Sequence, residues 1–181
     1  YVTLQQSSHQ QILPIVQGRV CMYLCAIQAQ QSSRKAEQTL EQAQKAFALQ
    51  ATLTDPIPLY ADCGNAPLML WEGLTHYHLS EHGAGNAERA LTSLKTFGLL
   101  QPNIQIPERF RLECLNNRIL AAVRCNEIEE AIACFESGTQ GATALGSKQR
   151  NKEIEYAYFE MRRQWPREQR VQKLEMLPKS I

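Results

Sequence analysis

Residues 71–102 read WEGLTHYHLSEHGAGNAERALTSLKTFGLLQP, and this stretch decides the fold. Trp71, Leu74 and His78 recur at helical spacing, the glycines in His82-Gly83-Ala84-Gly85 stop that helix, and Asn86 can cap the next. In the second helix Ala90, Leu94 and Phe97 share a face, and Pro102 closes the segment. A small residue with a large one four positions later lets two helix backbones approach while the large side chain fills the gap. The stretch therefore reads as a helical hairpin whose apolar face needs a neighbour to cover it.

The same pattern returns on both sides. Ala36, Leu40 and Ala43 repeat it upstream, Ala131, Phe135 and Gly138 repeat it downstream, and Ile154, Tyr158 and Met161 do so more loosely. Between these marks the periodicity predicts helices over 9–31, 34–53, 67–81, from Asn86 onward, 107–124, 126–145 and 148–164, with a short eighth after Trp165-Pro166. The first is expected to bury a stripe of Ile12, Ile15, Val16, Val20, Leu24 and Ile27, with Pro14 in its first turn. Asp55-Pro56-Ile57-Pro58 is a loop, because both prolines push their predecessors toward extended geometry. Apolar alternation with period two never persists, so no strand is expected. The fold class is all-α, in one domain over residues 1–181, and the final two helices either form a fourth pair or cap the others. An irregular helical bundle is the competing arrangement, since Ala-x3-Leu is common in any amphipathic helix.

Composition narrows the function classes. The chain has 44% hydrophobic and 20% charged residues and a net charge of +1, an ordinary globular balance without a strongly basic surface for nucleic acid. The apolar run Val20 to Ile27 is too short for a membrane span and is bracketed by Arg19 and by Gln28 to Gln31. Cys21, Cys25, Cys63, Cys114, Cys125 and Cys134 show no CxxC pairing and sit mostly among apolar residues, the pattern of reduced core thiols in a cytoplasmic protein. A thiol switch at Cys21 and Cys25, which share a helical face, would need an exposed electropositive setting. The chain opens on Tyr1, so an upstream part is expected.

Chemistry-bearing patterns are few. His78 and His82 stand four apart and can share a metal on one helical face, His76 points elsewhere, and the competing reading is surface and helix-ending histidines. GxSxG, P-loop, GxGxxG, HExxH and paired-carboxylate patterns are absent, so neither an enzyme nor a cofactor is expected. The basic C-terminal run, with Lys148, Arg150, Lys152, Arg162, Arg163, Arg167, Arg170 and Lys173, reads as a solvated helix face paired with its own glutamates.

Two resemblances follow from these residues. Trp71, Leu74, Ala90, Leu94 and Pro102 resemble the tetratricopeptide signature, with Thr75 and His78 in place of its Gly and Tyr. That implies a tetratricopeptide-like array of about four antiparallel helix hairpins, an alpha-solenoid, although the first two intervals between marks exceed the repeat's period of about 34 residues and the last falls short. DPIPLYAD, LWEGLTHYHL, NEIEEAIACFESG, ALGSKQR and RQWPREQRVQKLEML further resemble the C-terminal helical-repeat half of large soil-bacterial helix-turn-helix transcriptional regulators. The resemblance implies a non-catalytic sensor or interaction module that binds a protein or peptide, or self-associates as a homodimer, without touching DNA or membrane itself. In such an array the first helix of each hairpin lines a concave groove, and alignment on Trp71 and Ala131 turns Gln28, Glu72, His76, Asn116 and Arg124 toward it, together with Cys25 and Leu120.

Overall fold

A computed structural model describes residues 14–31, 35–50, 65–81, 83–99 and 106–174. Among these residues the chain is all-helical: α1 Pro14–Gln30, α2 Lys35–Gln50, α3 Asn65–Leu79, α4 Ala84–Leu99, α5 Glu108–Arg124, α6 Ile128–Leu145, α7 Lys148–Gln164 and the single turn α8 Gln169–Gln172. Consecutive helices pair as α1 with α2, α3 with α4 and α5 with α6. The odd-numbered helices also touch in series, α1 on α3, α3 on α5 and α5 on α7, so each hairpin stands beside the next. A fourth pair is incomplete among the described residues, because α7 is followed only by one-turn α8.

The turns have legible causes. Asn126, with φ 59°, and Gly146, with φ 64°, take the left-handed conformation just past α5 and α6. At both ends paired backbone bonds close the helix, Glu127 N–H to Ala122 at 2.8 Å and Asn126 N–H to Val123 at 3.2 Å in the first case. Ser147 then caps α7 by accepting from the Arg150 N–H at 3.3 Å. Trp165 donates its indole N–H to the Asn126 side chain at 2.9 Å, which fastens the end of α7 to the α5–α6 turn.

The marked positions form the core. Ala36, Leu40, Ala43, Ala90, Leu94, Phe97, Ala131, Phe135, Ile154 and Met161 are all buried. One cluster joins α1, α2 and the start of α3 around Met22, Leu40, Phe47 and Leu68, and a larger one runs from Leu70 through Phe97, Phe135 and Met161 to Val171. Close approach rests on glycine at several crossings, Gly73 and Gly138 among them. A Cβ on Gly73 would lie 2.5 Å from Leu94, and one on Gly138 would lie 2.6 Å from Ile154.

The first helix departs from its expected stripe. Among the expected residues within the described part only Ile15 is buried, while Val16, Val20 and Ile27 stand 49%, 42% and 51% exposed. The face turned inward is Gly18, Cys21, Met22, Cys25, Ala26 and Ala29. These narrow side chains let α1 lie close to both α2 and α3, which a ridge of Val and Ile would hold apart. Ile12 falls outside the described residues.

Candidate functional site

A cavity of about 470 Å³ opens where the odd-numbered helices meet. It is lined by Ala26 and Gln30 from α1, by Trp71, Leu74 and His78 from α3, by Glu113, Asn116, Asn117 and Leu120 from α5, and by Gln149, Lys152, Glu153 and Tyr156 from α7. No even-numbered helix contributes to this lining. Helical spacing explains the set: on α5 positions 113, 116, 117 and 120 share one face, and on α7 positions 149, 152, 153 and 156 do the same.

The polar groups are held in order. Glu153 accepts from the Asn116 amide at 3.0 Å, from Gln149 at 2.9 Å and from Arg150 at 2.6 Å. Arg150 also donates to Glu113 at 2.9 Å, so one guanidinium bridges two carboxylates. Burial raises the Glu113 pKa above the ordinary range and outweighs Arg150, which lowers it. On the opposite side Gln30 and His78 share a hydrogen bond at 3.2 Å. Burial, followed by the charge of Arg124, holds His78 below the usual imidazole value. Trp71 packs edge-on against Tyr23 with ring centroids 4.6 Å apart, so it joins α1 to α3 and borders the cavity at once.

Of the residues expected in a groove, Asn116 and Leu120 line this cavity and the others lie elsewhere. Gln28 accepts from Thr39 of α2 at 2.8 Å, inside its own hairpin. Cys25 is fully buried, with its thiol donating to the Met22 carbonyl at 3.0 Å and the Thr75 hydroxyl 3.2 Å away. Glu72 is half-buried and outside the lining. His76 is fully buried, its ring nitrogens without well-formed hydrogen bonds, and burial followed by Arg89 pushes its pKa down to about 4. Arg124 binds the end of α3: it donates to the Tyr77 carbonyl at 2.7 Å, to the Ser80 hydroxyl and to Glu81 at 2.9 Å, and stacks 4.0 Å from the Tyr77 ring centre. Helical spacing sets the direction in which a side chain leaves α5 but not how far it reaches, and the long Arg124 side chain extends to the end of α3.

His82 and Cys63 lie outside the described residues, so of the candidate pair only His78 is described; among the described residues no group of three His, Cys, Asp or Glu is placed to hold a metal ion. Cys21, Cys25, Cys114 and Cys134 are buried and unbridged, and burial pushes the Cys114 and Cys134 thiols up to about 12. In the basic C-terminal run Arg150, Arg163 and Arg170 each pair with glutamate. No described helix is long and apolar enough to cross a membrane.

Sequence reasoning missed Gln30, Glu113, Asn117, Gln149, Lys152, Glu153 and Tyr156. The signal lies in α7, whose 149, 152, 153, 156 spacing marks a single face, but the alignment on Trp71 and Ala131 assigns groove positions only to the first three hairpins. Comparison with protein-family models, curated proteins and solved structures gives no match.

Proposed function

We propose that the chain is a non-catalytic interaction module that holds a peptide or protein segment in a groove formed by its odd-numbered helices, arranged as a tetratricopeptide-like array. One observation carries this reading: among the described residues the cavity draws its lining from α1, α3, α5 and α7 alone. Such a groove follows the chain direction of an extended ligand, and its primary amides on Gln30, Asn117 and Gln149 can each donate to and accept from a peptide backbone. The sequence resemblance supports placing the module in a cytoplasmic transcriptional regulator. There, ligand capture would shift the packing between hairpins and bias an attached output domain. Trp71 offers an optical probe. In a Trp165→Phe background, titration with a peptide library should change Trp71 emission, and Asn117→Ala with Gln149→Ala should weaken binding about tenfold or more, the worth of one to two hydrogen bonds. A library that binds equally well to the double variant would place the ligand elsewhere.

Self-association is the second reading, favoured by the exposed Val16, Val20 and Ile27 along one side of α1. A second copy could cover that side. Sedimentation velocity decides: dimer that dissociates in Val20→Glu supports it, and a wild-type chain that stays monomeric at high concentration removes it.

A further inference from the structure

We infer that the ligand of the groove presents a cationic side chain, Lys or Arg, to the paired carboxylates of Glu113 and Glu153. The inference rests on the cavity being the binding groove and names the chemistry it selects.

The charges facing the cavity are unequal. Glu113 and Glu153 both belong to its lining, and among the described residues Lys152 is the one Lys or Arg that does. Arg150, which bridges the two glutamates, is 14% exposed and outside the lining, so a ligand meets carboxylate rather than guanidinium. A carboxylate offers about four acceptor sites, and the three donors on Glu153 leave one of its sites for a ligand. Glu113 uses Oε2 for Arg150, and the positive charge of Arg109 also acts on it. Burial still dominates its proton affinity, which is the behaviour of a carboxylate whose charge is incompletely balanced.

The surroundings favour the same sign. His78 is held toward its neutral form and adds no positive charge. Arg124, the one strong anion-binding group expected here, is committed to the end of α3. Trp71 on α3 and Tyr156 on α7 bring aromatic rings to the cavity, and a cation near such a face gains further attraction. Ala26, Leu74 and Leu120 can cover the aliphatic stem that carries a Lys or Arg head group.

The test uses three labelled pools of short peptides, alike except for a central Lys or Arg, Asp or Glu, or Gln or Ser, titrated against the full chain by fluorescence anisotropy. The basic pool is expected to bind best and to weaken as salt rises. Glu113→Gln should weaken it about tenfold, the worth of one charge-assisted hydrogen bond. Because that variant removes a partner of Arg150, the exposed Lys152→Glu provides a second reading free of core disruption; it should tighten the basic pool about three- to tenfold. If the acidic or neutral pool binds best and Lys152→Glu leaves the basic pool unchanged, the cationic ligand is excluded while the groove stands. If no pool binds, both fall.

Discussion

At the scale of single residues, burial decides chemistry more often than residue type does. His76 is the clearest case. It sits fully buried near Asn86, Arg89 and Glu37, and its pKa falls to about 4 against an ordinary value of 6.5. The folded chain therefore refuses a proton that the unfolded chain accepts. Stability from this residue is intact above pH 6.5 and drains away as pH falls toward 4, by up to about 3 kcal/mol. His78, shifted the same way, adds to the effect. Urea unfolding at neutral pH and near pH 4.5 should show a smaller acid loss for His76→Leu than for the wild type; equal losses would contradict the assignment. Arg124 makes a separate prediction. Arg124→Ala should cost about 1–3 kcal/mol by freeing the α3 terminus and its bonded carbonyl, while leaving groove binding within about twofold. A loss of binding without a loss of stability would return Arg124 to the groove. The buried thiols complete this scale: native labelling with a thiol reagent should be slow at Cys21, Cys25, Cys114 and Cys134 and faster at half-buried Cys125.

At the scale of elements, helix pairs are set by how closely backbones approach. Gly73 faces Leu94 so tightly that an added methyl has nowhere to go without displacing that side chain. Gly85 also lies in a helix but has open space around its would-be Cβ. Gly73→Ala should thus destabilise by about 1–3 kcal/mol, whereas Gly85→Ala should be neutral or stabilise by up to about 1 kcal/mol. Thermal melts of the two variants measure the difference, and similar shifts would mean that propensity rather than packing controls the hairpin. Surface ion pairs between elements matter less. Arg89 and Glu37 meet at 3.0 Å across α4 and α2, but both are more than half exposed, so the pair contributes little. The α4, α5 and α6 junction is better protected, since Glu130 is reached by both Arg118 and Lys95 and is largely shielded.

At the scale of the whole molecule, two apolar clusters divide the chain unequally. The smaller joins α1 to α2 and the start of α3, and the larger spans α3 to α8. Helices α1 and α2 should open at lower free energy, so native-state hydrogen exchange should be faster there than in α4, α5 and α6. Uniform protection would indicate one indivisible unit. Much of this architecture was legible in the sequence. The Ala90, Leu94, Phe97 pattern and its echoes named core positions, and the breaks after 124 and 145 marked helix ends, because propensity and period act locally, whereas Asn86, expected to cap α4, lies inside it because the helix begins at Ala84. The spacing over residues 148–164 predicts a helix with the bounds of α7. The inner face of α1 was not legible, since a run rich in Val, Ile, Cys, Met and Ala is apolar all round and only its neighbours choose a side. The cavity was legible only in part. Sequence put Asn116 and Leu120 on the face of α5 that lines it, but whether Gln28 bends into its own hairpin or Arg124 reaches the end of α3 depends on distances between helices. What sequence alone determined was the set of helices and, outside α1, most of the marked core positions, through short-range periodicity. The tertiary structure decided which charges face the cavity, because burial and long-range pairing exist only once the hairpins stand side by side.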